Sequence, residues 1–223
     1  MKLPGQPRRT TMADCPTGGS DNFSAYPSDC DVTAGLREMA NNRVQQTIDQ
    51  RLVARAKEIR LLLLDVDGVL TDGTLLFAPD GSESKAFNTQ DGFGIRLLQE
   101  AGLDVGVITA RSSAAVSARC ENLKMRYTYQ GESDKLKAYN DILRQSGRKP
   151  VEICYMGDDW LDLILLKRVG FSAAPANAVA EVQRHVHYTT SRRGGDGAVR
   201  EVCDVILQAR GVHHQLLQTY MNR

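Results

Sequence analysis

The sequence predicts an α/β fold, a doubly wound and mostly parallel Rossmann-like sheet, and three observations carry that reading. Short apolar runs of strand length recur, most plainly at 59–64, 103–108 and 151–156, as expected of strands covered on both faces. Longer segments with helical spacing lie between them, so strands and helices alternate as in a parallel sheet. The first run ends abruptly at Asp65 and Asp67, and ligands of open α/β sheets bind beyond the carboxyl ends of the strands.

Residues 1–35 are rich in Gly, Pro, Ser, Thr and Asp without a usable period, and read as a disordered or loosely attached extension. Over 36–57, Val44, Ile48, Leu52 and Ala56 share one helical face, which predicts a helix leading into the first strand. Behind Asp67, Gly68 permits a sharp turn. Segments 73–77 and 85–88 flank Ala78-Pro-Asp-Gly-Ser, predicting a β-hairpin over 73–88. Asp91-Gly-Phe-Gly opens a helix running to 99, and Gly102 ends it before the strand at 103–108. A helix at 113–122, a strand at 126–129 and a helix at 134–145 follow, with Gly147 and Pro150 as stop signals. The remaining elements are strands at 151–156, 171–173 and 187–189 and helices at 161–168, 179–184 and 197–209. These boundaries make 36–211 one domain and 212–223 a C-terminal tail.

A chain of 223 residues, 42% hydrophobic and 25% charged, can bury a sizeable core. Its formal net charge of +1 creates no global field toward nucleic acid or an anionic membrane, which leaves a small molecule as the expected partner. The five cysteines are scattered and lack a Cys-x-x-Cys pair, so neither a disulfide framework nor a zinc site is expected. Lys2, Arg8 and Arg9 are not followed by the apolar core of a signal peptide. A reducing cytoplasm is the expected location.

Beside Asp65 and Asp67, three polar residues fall at or just beyond the ends of predicted strands: Thr109, Lys135 and Asp158. Singly, each also suits a structural role. Thr109 could cap a helix, Lys135 could be a solvated surface lysine, and Gly157-Asp158-Asp159 could be a plain turn. Jointly they converge on the crevice of Asp65 and Asp67.

The order Asp65-x-Asp67-Gly-Val, Thr109, Lys135 and Gly157-Asp158-Asp159-x-x-Asp162 resembles the four-motif pattern of the haloacid dehalogenase superfamily, across 59–211. Glu83-Ser-Lys-Ala-Phe-Asn, Asp91-Gly-Phe-Gly-Ile, Ile108-Thr-Ala-Arg, Tyr129-Gln-Gly-Glu-Ser-Asp-Lys and Gly194-Gly-Asp-Gly-Ala-Val-Arg are similar to one capless, tetrameric branch of it, the 3-deoxy-D-manno-octulosonate 8-phosphate (KDO 8-phosphate) phosphatases. That resemblance implies Asp65 as nucleophile, forming an aspartyl-phosphate, and Asp67 as general acid and base. It implies Mg2+ held by Asp65, the main-chain oxygen of Asp67 and Asp158, with Thr109 and Lys135 on the phosphoryl oxygens. Asp162 would orient Lys135 or a metal-bound water, and Asp159 suits an N-cap as well as catalysis.

For the substrate, the resemblance implies Arg111, which can pair with a sugar-acid carboxylate, and Lys85, Phe87 and Asp91, although Phe87 also suits the hairpin base as a core residue. It further implies a homotetramer in which neighbours complete each site, with Gly194-Gly195 in a loop approaching an adjacent site or forming a plain turn. Gln90, Ala110 and Asp196 depart from the pattern, and the positive charges missing at 90 and 196 weaken the hold on an anionic substrate. A nononate 9-phosphate phosphatase is the sibling alternative. A receiver-like module phosphorylated on Asp65 is the alternative of another class, against which Asp67 counts, since storing phosphate needs no proton donor.

Overall fold

Four consecutive leucines, Leu61–Leu64, form the central strand β1, and all four are fully buried. The computed structural model describes residues 50–223; the extension expected over 1–35 and the part of the helix expected over 36–57 that precedes residue 50 lie outside the described residues. In chain order the elements are α1 (Gln50–Glu58), β1, β2 (Leu76–Phe77), β3 (Glu83–Ser84), α2 (Thr89–Glu100), β4 (Asp104–Ile108), α3 (Ala114–Asn122) and β5 (Tyr127–Tyr129). There follow α4 (Lys135–Ser146), β6 (Ile153–Met156), α5 (Leu163–Leu166), β7 (Phe171–Ala174), α6 (Ala180–Gln183), β8 (Tyr188–Thr189), α7 (Ala198–Ala209) and α8 (His213–Met221).

Six strands form one sheet in the order β5-β4-β1-β6-β7-β8, with every pairing parallel. Side chains alternate across a strand, so β1 feeds two cores. Leu62 and Leu64 pack with Ile95 and Leu98 of α2 and with Val199, Val202 and Ile206 of α7. Leu61 and Leu63 face Tyr139 and Ile142 of α4 and Leu165 and Leu166 of α5. This is the doubly wound, parallel α/β sheet that the alternation predicts. Helix α4 shows why the ends fall where they do: the Asp134 carboxylate accepts from the N–H of Leu136 at 3.1 Å, and Gly147 closes the helix with φ +66°.

Two predicted elements differ. The hairpin pairs only Leu76 with Ser84 and Phe77 with Glu83, so its second strand precedes the predicted 85–88. Asp80 accepts from Ser82 N–H at 2.9 Å and closes the turn early; Lys85 turns toward Asp67, and Asn88 becomes the N-cap of α2. The helix predicted at 161–168 splits into a 3-10 turn, Trp160–Asp162, and the single-turn α5. The Asp162 carboxylate reaches back to the N–H of Asp158 and Asp159 and tightens the start. Within 212–223, read from sequence as a tail, α8 forms a helix that packs on α7.

Candidate active site

Strand register assembles the site. Leu64 lies opposite Val107 of β4 and Met156 of β6, so Asp65, Thr109 and the Gly157-Asp158 loop leave the sheet side by side. The N–H of Asp65 donates to Met156 O at 2.9 Å, and that of Thr109 to Tyr129 O at 2.9 Å. Gly68 turns the chain back with φ +88°, and a Cβ there would collide with the Asp158 carboxylate. Thr71 pins the turn, its Oγ1 accepting from the N–H of Gly73 at 3.2 Å. Beneath it, Gly195 N–H donates to Val69 O at 3.0 Å and Gly194 N–H to Asn177 Oδ1 at 2.7 Å. The Gly194-Gly195 pair therefore packs under the chain's own Asp65–Asp67 turn.

Lys135 is the first residue of α4, and its ammonium is buried. It lies 3.0 Å from Asp65 Oδ1, 2.6 Å from Asp162 Oδ1 and 3.2 Å from the Tyr155 hydroxyl. Burial opposes its charge, but Asp65 and Asp162 outweigh burial and hold it above the ordinary lysine value. Asp162 has no free acceptor site. Its Oδ1 takes Lys135 and the Tyr155 hydroxyl at 2.6 Å, and its Oδ2 takes the N–H of Asp158 at 2.9 Å and of Asp159 at 3.2 Å. A carboxylate offers about four such sites, so Asp162 organises the loop and the lysine.

Carboxylate oxygens of Asp65, Asp158 and Asp162 come within 4.8 Å of one another. Burial and then Asp162 push the Asp65 carboxyl up to about 6 against the pull of Lys135. Burial, then Asp162 and Asp65, push that of Asp158 up to about 7. With Asp162 occupied, Asp65 and Asp158 are the carboxylates left to hold a cation, and a pair of crowded hard oxygen donors fits a small divalent ion.

Asp67 faces another set of partners. Lys85 forms a close ion pair with its Oδ1, and Arg111 Nε stands 3.8 Å from its Oδ2. Glu83 of β3 bridges both cations, 2.7 Å to Lys85 Nζ and 2.6 Å to Arg111 Nη2. Asp67 Oδ2 is buried and receives no hydrogen bond from any described residue.

The remaining expected residues divide. Thr109 is buried, its Oγ1 accepting from Arg111 N–H at 3.3 Å. Phe87 packs against the core beneath the Arg119 guanidinium, 5.5 Å from the ring centre. Asp91, expected near the substrate, spends its carboxylate on the N–H of Arg200 at 2.8 Å and Gly197 at 3.3 Å, fastening the start of α7. Asp159 caps the 3-10 turn through Trp160 N–H at 2.7 Å. Sequence reasoning missed Tyr155, Glu83 and Asn177. Tyr155 sits in an apolar run, where a tyrosine reads as core; only the side chains opposite reveal what its hydroxyl does.

Residues 128–202 match the haloacid dehalogenase-like hydrolase family. Over 160 residues the chain is 44% identical to the KDO 8-phosphate phosphatase KdsC of Escherichia coli K12, covering 72% of this chain and 85% of the relative. The chain belongs to the KDO 8-phosphate phosphatase family. Its relatives in that family include the Salmonella typhi enzyme, 42% identical across 74% of this chain and 87% of the relative. The KDO 8-phosphate phosphatase structure from Yersinia pestis superposes with a TM-score of 0.73 at 43% identity, covering 74% of this chain and 89% of the other. That of Moraxella catarrhalis, solved with a magnesium ion, a phosphate ion and KDO, gives 0.75 at 36% identity, covering 78% and 99%.

Proposed function

We propose that this chain is a Mg2+-dependent phosphatase that hydrolyses KDO 8-phosphate to KDO and inorganic phosphate through an aspartyl-phosphate, in making the lipopolysaccharide inner core. The observation that carries the reading is the division of labour between two carboxylates two residues apart. Asp65 lies against Lys135 in the acidic pocket, whereas Asp67 is turned to Lys85 and Arg111 and keeps one oxygen to which no described residue donates.

Asp65 supplies the attacking oxygen, and Lys135 orients that carboxylate while offering its ammonium to the phosphoryl oxygens. Thr109, at the end of the neighbouring strand, adds its hydroxyl. Asp67 takes up a proton from solvent at Oδ2, gives it to the departing alkoxide, and takes one back from the water that cleaves the acyl phosphate. Asp65 and Asp158, with the main-chain oxygen of Asp67, would hold Mg2+, which neutralises charge on the transferring phosphoryl group when bound. Arg111, the exposed cation at the mouth, pairs with the sugar-acid carboxylate. Release of inorganic phosphate from KDO 8-phosphate, with Mg2+ and with EDTA, tests the reading: Mg2+-dependent release is expected, and none under either condition refutes it. A nononate 9-phosphate outcompeting KDO 8-phosphate in kcat/KM overturns the substrate alone.

The same reading makes the enzyme a homotetramer whose neighbours cover each site. Leu75, Leu76 and Phe77 on the hairpin are 41%, 54% and 61% exposed, an apolar ridge that supports burial against another copy. Sedimentation at micromolar concentration checks the stoichiometry. A cytoplasmic location is supported by Cys120, Cys154 and Cys203, all buried as free thiols. Among the described residues no helix is long and apolar enough to cross a membrane.

A further inference from the structure

Glu83 holds two cations with one carboxylate, and the two differ in what they can reach. The Lys85 side chain is 1% exposed and locked between Glu83 and Asp67, whereas that of Arg111 is 42% exposed and faces solvent from the same cluster. Glu83 Oε2, 2.6 Å from Arg111 Nη2, therefore occupies a donor that an incoming carboxylate would use. A guanidinium pairs bidentately with a carboxylate through a fork of two adjacent N–H groups, and Glu83 stands on one such fork of Arg111. Two carboxylates on that fork compete.

We infer that Glu83 is a specificity-determining residue: in the free enzyme its carboxylate stands on Arg111 in place of the substrate's, and a sugar-acid phosphate binds by exchanging with it. The inference rests on the sugar-acid reading given above and extends it to a residue outside the proposed catalytic set. For a phosphate ester that carries a carboxylate, one charge-assisted pair replaces another, and Glu83 keeps Lys85 as its partner. An ester without a carboxylate offers nothing in exchange and leaves the Glu83–Arg111 pair closed. Affinity for the carboxylated ester is lowered by the fraction of enzyme in which Glu83 holds Arg111. Removing the Glu83 charge therefore improves binding of the carboxylated ester selectively.

The experiment compares KDO 8-phosphate with mannose 6-phosphate, a sugar phosphate without a carboxylate, in the wild type, Glu83→Gln and Glu83→Ala. The KM for KDO 8-phosphate is expected to fall about three- to tenfold in both variants, and the ratio of kcat/KM values to rise by the same factor. Taking the ratio cancels any change that reaches Asp67 through Lys85, since both esters share that step. In an Arg111→Gln background the rise is expected to vanish. A ratio that is unchanged or lower in both variants, or that rises equally without Arg111, overturns the assignment. A wild type with no preference for KDO 8-phosphate over mannose 6-phosphate overturns the underlying substrate reading instead, so the two failures are told apart.

Discussion

The two aspartates of the Asp65-Val-Asp67 turn live in opposite electrostatic settings. Around Asp65, three carboxylates meet one buried ammonium, and burial, reinforced by the excess negative charge, raises two carboxyl groups far above their ordinary value. Around Asp67, two carboxylates meet two cations, and the set is self-contained. The first cluster is unfinished without a cation from outside. The second pairs its charges within itself, and on the inference above a substrate enters it by displacing Glu83 from Arg111.

The comparison breaks most visibly at the aspartates themselves. Asp65→Asn is expected to lower kcat on the order of 10^4-fold, by removing the proposed nucleophile, and to shrink the rise in Tm on adding Mg2+. Asp67→Asn is expected to lower kcat about 10^2- to 10^4-fold while keeping that Mg2+-induced rise, because its carboxylate lies outside the acidic pocket. Equal loss of the Mg2+ response in both variants would merge the two clusters into one.

Tyr155→Phe probes the acidic side alone. It deletes the 2.6 Å hydrogen bond to Asp162 and with it part of the hold on Lys135. A kcat reduced about tenfold at nearly unchanged KM, equal to about 1.4 kcal/mol, is expected. An unchanged kcat would make the hydroxyl a packing group.

The smallest effect is a stability difference read without metal. The folded-state value of Asp158 is about 7 against an ordinary 3.8, so its contribution to stability is fully present below 3.8 and is lost as pH rises through about 7. Asp158→Asn, which cannot ionise, should therefore match the wild type in Tm near pH 4 and exceed it by roughly 2–5 °C at pH 8 in EDTA. Added Mg2+ should reverse the order by stabilising only the wild type. A difference that does not grow with pH removes the idea that Asp158 is held under charge stress.

Much of this arrangement was legible in the sequence because it is written in strand ends. Asp65, Thr109 and Asp158 each follow an apolar run, and parallel pairing in register carries such residues to one edge. Lys135 was legible only as a residue near a strand; its burial comes from α4, whose cap sets its first turn against β1. What sequence did not reveal depends on side chains meeting across long separations. Glu83 spans 28 positions to reach Arg111, and Asp91 crosses 106 to fasten Gly197, which is why a residue that looked substrate-facing turned out to be occupied. The hairpin shortened for a local reason, the Asx turn at Asp80, and its register then freed Lys85 for Asp67.

The glycine pair beneath the Asp65–Asp67 turn joins two segments that lie far apart in the sequence. Gly194 lies so close to the Gly68 carbonyl that a Cβ would collide with it, and Asn177 holds both Gly194 and the Gly68 carbonyl. The turn that carries Asp65 and Asp67 thus rests on residues more than a hundred positions downstream, so a substitution at Gly194 or Asn177 reaches the two aspartates from a distant part of the sequence.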